Sequence, residues 1–429
     1  MDTIFAVSSG VPPAAIAILR LSGARALVAA KAICGPLPEA RVAGLRALRD
    51  PADRSLLDRA LVLAFPGPQS ATGEDVVELH LHGGRAVVRA LERVLAEMPG
   101  LRAAQPGEFT RRALLNGRID LSEAEGLGDL LAAETEAQRR VALASAEGAV
   151  RRRVERWTAR TLQLGAGIEA LLDHGDEEDV NDERAIMHRV RQGVAALAAE
   201  IADVLAEPPV ERLRDGLRVV LAGPPNSGKS TLFNALLQRD AAIISPIAGT
   251  TRDRIEAPVM RDGVAWVLID TAGLAEETAD PIEAIGIRRA RETLNVADIV
   301  LWLGDEPPPI LRAATVLLHA RHDLPGRGLV PEGRIAVSAL EGSLGPLWAR
   351  LAALAEDLLP GPNAAMLNAR QRDHCATAET SLRAAALETD PLIMAEEMRL
   401  ARASCDAILG RAGVEDMLDS LFSQFCIGK

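Results

Sequence analysis

A glycine-rich loop carries the clearest chemistry in the sequence. The apolar run Leu217–Ala222 leads directly into Gly223-Pro-Pro-Asn-Ser-Gly228-Lys229-Ser230, which matches the pattern GxxxxGK[ST] and precedes a helical pattern. In such a strand–loop–helix unit the backbone N–H groups surround phosphates, the lysine reaches the β- and γ-phosphates, and the hydroxyl ligates Mg²⁺. The sequence therefore predicts that Lys229 binds phosphate and that Ser230 binds Mg²⁺.

Two further motifs follow in the order expected of a GTPase. The strand-like run Trp266–Ile269 ends in Asp-Thr-Ala-Gly at 270–273, an acid followed by a glycine whose N–H can contact the γ-phosphate. Between the two lies Gly-Thr-Thr-Arg-Asp at 249–253, in which Thr251 can complete the Mg²⁺ shell when the γ-phosphate is present. Order and spacing indicate a GTPase domain of translation-factor type.

The motifs depart from the common GTPase pattern in two places. Leu274 stands where Ras-like enzymes carry a glutamine that orients the attacking water, so another residue must orient the water here. The guanine-reading motif Asn-Lys-x-Asp is replaced by Ala320-Arg321-His322-Asp323. Asp323 can still accept from the guanine N1 and N2 protons, but a lost amide contact costs about 1–3 kcal/mol. The degree of guanine specificity is left open.

The patterns around these motifs predict a multidomain protein. Residues 1–120 contain short β-rich runs and one helical pattern, residues 121–207 read as helices, and strands alternate with helices from about 216 to 340. The acidic surplus lies mainly in 121–215 and 341–429, which suggests one helical body interrupted by an inserted domain. We predict four segments: an α+β domain at 1–120, a helical domain at 121–215 and 359–429, and an α/β GTPase domain at 216–358.

Composition excludes several function classes. The chain has 429 residues and a net charge of −12, so a general nucleic-acid coat is not expected. No apolar run approaches the roughly 18 residues of a membrane span, and no basic leader is visible, which predicts a cytoplasmic protein without membrane association. The four cysteines form no CxxC pair, which argues against a zinc site.

Arginine far outnumbers lysine, which occurs only at 31, 229 and 429, and we attribute this to a coding bias.

Motifs along the whole chain resemble the MnmE/TrmE family of tRNA modification GTPases. The C-terminal Cys-x-Gly-Lys beside a helix-flanked GTPase domain is the most specific of them. The matching segments are Asp2–Ile4, Ile18–Gly23, Pro66–Pro68, Thr72–Leu79, His82–Gly84, Pro106–Thr110, Leu115–Leu121 and Phe425–Lys429.

This resemblance implies an N-terminal folate-binding and dimerising domain, a discontinuous helical domain and an inserted Ras-like domain. It implies 5-formyl-tetrahydrofolate, or a related one-carbon folate, bound by Arg20, Glu78, Arg118 and Lys429, and a chemical role for Cys426. Cations suit the carboxylates of the folate, and a glutamate suits the amino-pyrimidine edge of a pterin. A homodimer would join the flavin-dependent partner MnmG in a heterotetramer and install a carboxymethylaminomethyl-type group on the wobble uridine of tRNA.

The resemblance also implies potassium-dependent GTP hydrolysis, with K⁺ standing where an arginine finger would. The implied K⁺ ligands are Asn226, Ser245, Ile247 and Thr250, and the Mg²⁺ ligands are Ser230 and Thr251. The implied catalytic residues are Lys229, Thr251, Arg252 and Glu283. The implied nucleotide-binding residues are Asn226, Ser227, Gly228, Lys229, Ser230, Thr231, Ser245, Ile247, Gly249, Thr250, Thr251, Asp270, Thr271, Ala272, Gly273, Asp323, Ser338, Ala339 and Leu340.

The sequence alone leaves two other functions open. The chain could be a ribosome-assembly GTPase of the Era or Der kind, although no basic RNA-binding appendage is apparent. It could also be a weakly active nucleotide-binding scaffold, an idea that the altered base-reading motif encourages. His80 and His82 alternate on a strand, but no third metal ligand is apparent, so a structural role is favoured over a metal pair.

Overall fold

A computed structural model describes most of the chain. It covers residues 2–173, 180–240, 256–270, 297–308, 314–338, 344–361 and 367–411, and residues 418, 421, 422, 425, 427 and 428, with side chains except at 173, 180–183 and 238–240. The chain forms two compact units. One comprises Met1–Gly128, Ser145–Thr158 and Cys405–Lys429, and the other comprises Asp129–Ala144 and Ala159–Ser404.

The first unit contains a six-stranded sheet with the order β3-β4-β5-β2-β1-β6. The strands are β1 Thr3–Val7, β2 Ile16–Ser22, β3 Gly44–Arg49, β4 Leu56–Phe65, β5 Val76–His82 and β6 Leu101–Ala103. Neighbours are antiparallel except β1 and β6. Leu19, Leu79 and Leu81 point from alternate positions into a core with Ile33 and Leu91. Those two side chains belong to helices α1 Ala26–Cys34 and α2 Arg85–Ala96, which cover this face.

Among the described residues, the opposite face of this sheet is only partly covered. Ile4 and Ala6 pack against Phe109 of helix α3 Glu108–Leu115. Farther along the face, Leu45 and Leu61 lie opposite each other on β3 and β4 and are 62% and 44% exposed. Polar side chains of β2 and β5 are therefore reachable between α3 and an exposed apolar row.

The C-terminal segment returns to this unit. Phe422 and Phe425 pack with Leu121 in a small buried cluster. Ile427 pairs with Pro106 in an isolated bridge, and Ser8 Oγ donates to the carbonyl oxygen of Gly428 over 2.8 Å. Ser8 directly follows β1, so the end of the chain lies beside the sheet.

Long helices make up the stretches that were predicted to be helical. They are α4 Leu121–Ala132, α5 Glu136–Ala146, α6 Ala149–Asp173, α7 Val180–Ala206 and the short α8 Glu211–Arg214. After the inserted domain come α11 Ala369–Leu387, which packs along α7, and α12 Pro391–Ile408. The expected discontinuity of the helical region is thus observed. In the described ranges, no helix is both long and apolar enough to cross a membrane.

The inserted domain is built on a second six-stranded sheet with the order β12-β11-β10-β7-β9-β8. The strands are β7 Leu217–Ala222, β8 Glu256–Arg261, β9 Val264–Asp270, β10 Ile299–Trp302, β11 Ala314–Ala320 and β12 Ile335–Val337. All neighbours are parallel except β8 and β9. Helices α9 Lys229–Asp240 and α10 Gly345–Leu358 contribute Leu236 and Leu351 to its core. The carboxyl ends of five parallel strands therefore meet at one edge, where α/β sheets bind ligands.

Candidate functional site

The glycine-rich loop connects β7 to α9 and closes around its own lysine. Lys229 is the first residue of α9 and is only 8% exposed. Its Nζ donates to the carbonyl oxygens of Gly223 and Pro224, over 3.1 and 3.0 Å. Asn226 and Gly228 adopt left-handed backbone angles, with φ of 60° and 98°. These turns give the loop the tight curve on which phosphate binding at a helix N-terminus depends.

Two further features of the same loop favour phosphate binding, namely the hydroxyl of Ser227 and the first turn of α9. The hydroxyl of Ser227 is buried without a hydrogen-bond partner among the described residues. Ser230 and Thr231 are exposed in the first turn of α9. A phosphate with bound Mg²⁺ fits this donor set, because it would give the Ser227 hydroxyl a partner and accept N–H groups of the helix start.

Asp270 lies at the same edge of the sheet. It ends β9, is paired in register with Leu221 of β7, and is only 6% exposed. The predicted acid and the predicted phosphate loop are thus on neighbouring strands. This arrangement is the one in which a carboxylate can reach an Mg²⁺ ion on bound phosphates.

The predicted base-reading segment follows β11. Ala320 is 7% exposed and its methyl belongs to the core of the domain. Arg321 has a left-handed φ of 59°, and its Nε lies 3.4 Å from where a Cβ of Gly228 would be. Asp323 is half-buried, and Ser338, 1% exposed, follows the neighbouring strand β12. The base-reading segment therefore adjoins the phosphate loop.

Many of the predicted site residues lie outside the described residues, so their roles stay predictions. They are Ser245, Ile247, Gly249, Thr250, Thr251, Arg252, Thr271, Ala272, Gly273, Leu274, Glu283, Ala339, Leu340, Cys426 and Lys429.

In the N-terminal sheet, Arg20 and Glu78 face each other directly on β2 and β5. Arg20 Nη2 and Nε donate to Glu78 Oε1 over 2.8 and 3.1 Å, and the guanidinium lies 5.8 Å from the ring centre of Phe109. Burial alone would raise the pKa of Glu78, but the hydrogen bond and charge of Arg20, with help from His80, lower it overall. Glu78 is therefore an ionised acceptor at neutral pH.

The two histidines of β5 have separate carboxylate partners. His80 Nε2 lies 3.3 Å from Glu78 Oε2, and His82 Nδ1 lies 2.7 Å from Asp58 Oδ1. Within the described part of the chain, no three His, Cys, Asp or Glu side chains group closely enough to hold a metal. Each of the two histidines therefore has a carboxylate neighbour of its own.

Arg118 follows α3 and is exposed. Its Cγ lies 3.2 Å from where a Cβ of Gly73 would be, so it sits on the loop before β5. Neither the phosphate loop nor the base-reading segment shares a compact unit with Arg20, Glu78 and Arg118. The described members of the two predicted sites therefore lie in different compact units.

Sequence reasoning missed a buried ion network in the N-terminal domain. Arg112 of α3 is 5% exposed and donates to Glu74, Glu108 and Asp2 over 3.0 Å each. Ser22 also donates to Glu74, over 2.8 Å. The network fixes α3 and the loop before β5, between which Arg118 lies. Asp2, Glu74 and Glu108 lie in segments that match the family motifs. Their negative charge, opposite to that of Arg112, is the sequence feature that could have indicated the network.

Comparisons with known proteins extend over the whole chain. Residues 3–118 match the family described as GTP-binding protein TrmE N-terminus, and residues 121–426 match the MnmE helical domain. The chain is 54% identical to the tRNA modification GTPase MnmE of Erythrobacter litoralis (strain HTCC2594), with 100% of both chains covered. It is also 54% identical to that of Rhizorhabdus wittichii, with 100% of this chain and 97% of the relative covered.

The chain belongs to the MnmE/TrmE family. This membership confirms the predicted fold class and a GTPase of tRNA modification, in preference to a ribosome-assembly GTPase. Among solved structures, the G domain of the T. maritima FeoB iron transporter is 24% identical, with a TM-score of 0.24 over 32% of this chain and 98% of that one. A TM-score this low adds nothing to the family assignment.

Proposed function

We propose that this MnmE/TrmE protein couples GTP hydrolysis to the addition of a carboxymethylaminomethyl-type group to the wobble uridine of tRNA. The one-carbon unit would come from 5-formyl-tetrahydrofolate or a related folate, and the flavin from a partner of the MnmG type. The observation that carries the folate part of the proposal is the approach of the C-terminal segment to the sheet that bears Arg20 and Glu78.

The chemistry of the Arg20–Glu78 pair supports a folate. A pterin presents an amino group and ring N–H groups along one edge, and an ionised glutamate accepts from such donors. The lowered pKa of Glu78 keeps that acceptor charged, although burial acts in the opposite direction. Arg20 and the exposed Arg118 supply cations for the folate carboxylates.

The position of the C-terminus supports a shared site. Ile427 and Gly428 are anchored on Pro106 and Ser8, next to the sheet. Cys426 and Lys429 immediately flank these two anchored residues in the sequence. We therefore propose that Lys429 contacts the folate and that Cys426 takes part in the modification chemistry.

In the GTPase domain, Lys229 would exchange its two backbone carbonyl partners for the β- and γ-phosphates, while Ser230 holds Mg²⁺ together with Thr251. When bound, Mg²⁺ neutralises charge on the phosphate oxygens. Asn226, which the left-handed turn of the loop exposes, would bind K⁺ with oxygens of Ser245, Ile247 and Thr250. Glu283 would orient water in place of the glutamine that Leu274 replaces, beside Arg252.

The exposed apolar row of the N-terminal sheet supports a homodimer through that domain. Leu45 and Leu61 are large aliphatic side chains more than two-fifths exposed, and they lie opposite each other on neighbouring strands, so that a second protomer would bury both together. Replacing both by glutamate is expected to shift the purified protein from dimer to monomer in analytical ultracentrifugation. An unchanged dimer would refute this interface. The heterotetramer with MnmG and a cytoplasmic location follow from the same proposal.

Mass spectrometry of wobble uridines tests the function as a whole. Cells that lack the protein should lose the modification, and the wild-type gene should restore it. The Arg20→Ala variant should fail to restore it and should bind 5-formyl-tetrahydrofolate at least about tenfold more weakly, because a charged hydrogen bond is removed. Arg59→Ala, an exposed arginine on β4, is the matched control. Normal modification in cells without the protein would refute the proposal.

A further inference from the structure

The base-reading segment Ala320–Asp323 is held by side chains from the chain that follows it. Arg327 Nε donates to the carbonyl oxygen of Ala320 over 3.0 Å. The other two nitrogens of the same guanidinium donate to Asp305, Nη1 to Oδ2 over 3.0 Å and Nη2 to Oδ1 over 2.7 Å. One planar group thus joins the end of β11 to the loop after β10.

A second arginine reinforces the same junction. Arg334 Nη1 donates to the carbonyl oxygens of Gly304 and Leu318 over 2.6 and 2.9 Å, and Nη2 donates to the carbonyl of Asp305 over 2.6 Å. His319 Nε2 lies 2.8 Å from the carbonyl oxygen of Arg327. The backbone that presents Asp305 to Arg327 is therefore itself fixed.

The chain between Ala320 and Arg327 forms a turn with hydrogen bonds of its own. It turns through the left-handed Arg321 and continues with backbone hydrogen bonds from Leu324 N to Arg321 O (3.1 Å) and from Arg327 N to Leu324 O (3.0 Å). Ala320 itself pairs with Val337 of β12 and contributes its methyl to the core. Arg327 is thus the side chain that ties the first carbonyl of this turn to a neighbouring loop.

The Arg327–Asp305 pair stays charged over the working pH range. The hydrogen bond from Arg327 lowers the pKa of Asp305, and the hydrogen bond to Asp305 raises the pKa of Arg327. The nearby Arg334 guanidinium acts on the pKa of Asp305 in the same direction. Because the Asp305 side chain is 64% exposed, its ion pair with Arg327 adds little to the free energy of unfolding. The pair serves instead to fix the geometry of the turn.

We propose that Arg327, held by Asp305, is the positioning residue that sets the base-reading geometry of Asp323 in place of the asparagine that Ala320 replaces. This inference rests on the proposed assignment of Asp323 as the guanine-reading carboxylate. An anchored turn holds the backbone of Asp323 at a fixed place, so its two hydrogen bonds to the guanine edge form at a smaller ordering cost. Arg327 touches no substrate and acts only through the turn.

The test compares two nucleotides that differ in the group that Asp323 reads. GDP has the N2 amino group and IDP lacks it, so their affinity ratio reports how well Asp323 is placed. In the full-length protein, Arg327→Ala should weaken binding of a fluorescent GDP about tenfold and of the matching IDP by less than about threefold. Asp305→Ala should act alike, and the double variant should add little.

Two further variants separate positioning from a general role. Arg327→Lys keeps the charge but cannot span Ala320 and Asp305 with one planar fork, so it should not restore the GDP/IDP ratio. Arg350→Ala, an exposed arginine on α10, should leave both affinities unchanged. An equal loss for GDP and IDP in Arg327→Ala, or full recovery in Arg327→Lys, would overturn the inference.

Asp323→Asn separates failure of this inference from failure of the assignment beneath it. An asparagine amide can donate to the O2 atom of xanthine, so this variant should gain affinity for XDP and lose affinity for GDP. If it does so while Arg327→Ala leaves the GDP/IDP ratio unchanged, only the role of Arg327 is refuted. If the variant gains no affinity for XDP, Asp323 does not read the base. Both the assignment of Asp323 and the positioning role of Arg327 are then refuted.

Discussion

Replacing Gly428 by alanine should release the C-terminal segment from the N-terminal domain. Gly428 has φ of 96°, a left-handed conformation that alanine adopts only with strain. An alanine Cβ would lie 2.1 Å from the carbonyl oxygen of Val7 and 3.0 Å from Cα of Ser8. Ordinary C···O contacts begin at about 3.3 Å, so the backbone of residue 428 must move by about 1 Å.

That movement breaks the two anchors of the segment. It separates the Ser8 hydroxyl from the Gly428 carbonyl and strains the bridge between Pro106 and Ile427. Each lost hydrogen bond costs about 1 kcal/mol, and the left-handed alanine costs about 1 kcal/mol more. A total of about 3 kcal/mol corresponds to about a hundredfold drop in the docked fraction.

Hydrogen exchange and activity together check this prediction. Amide protection of residues 418–429 should fall, and the wobble-uridine modification should be lost, while GTP hydrolysis by the other compact unit continues. Gly35→Ala is the matched control, because Gly35 has a similar φ of 73° but no atom within 4 Å of its Cβ position. A Gly428→Ala protein that keeps both protection and modification would refute the reasoning. Simultaneous loss of GTP hydrolysis would instead indicate a folding role for the C-terminus.

Three other predictions follow from particular contacts. Burial raises the pKa of Glu78 and Arg20 lowers it below its usual value, so Arg20→Ala should raise it. Folate binding is expected above the pKa of Glu78 and is lost as the pH falls through that pKa. In a binding titration, the binding that remains in Arg20→Ala should therefore be lost at a higher pH than in the wild type. Asn226→Ala should remove the excess of GTP turnover in potassium over sodium, and equal wild-type turnover in both salts would contradict the K⁺ proposal. Arg112→Met leaves Glu74 without its buried cation and should lower the free energy of unfolding of the N-terminal domain by about 3–5 kcal/mol, measured by urea titration against Arg59→Met. A loss below about 1 kcal/mol would mean that the network is solvated.

Local patterns predicted two central strands of the GTPase sheet. The expected strand at 217–222 coincides with β7, and the run at 266–269 lies inside β9. Both are short apolar stretches bounded by glycine or acid, and the phosphate loop between them is one contiguous motif. Such features are decided by neighbours in the sequence, so they can be read from it.

Features that depend on distant residues were not predictable in the same way. Arg112 contacts Glu74 and Asp2, which are 38 and 110 residues away in the sequence. No periodicity links positions so far apart. The strand β6 has only three residues, and its pairing with β1 rather than its composition makes it a strand. The return of Gly428 to Ser8 spans 420 residues and was suggested only by family resemblance.

Lys229 occupies a position where the geometry around the cation favours lysine over arginine. Arg118 is exposed, and Arg321 lies against a glycine that leaves room for its guanidinium. Lys229 is instead enclosed, because its Nζ lies within 3.1 Å of two backbone carbonyls of the loop that surrounds it. A planar guanidinium carries its donors on separate atoms and cannot converge on that point as an ammonium does. Lys229→Arg should therefore abolish nucleotide binding even though it keeps the charge, which explains why the bias towards arginine stopped at this position.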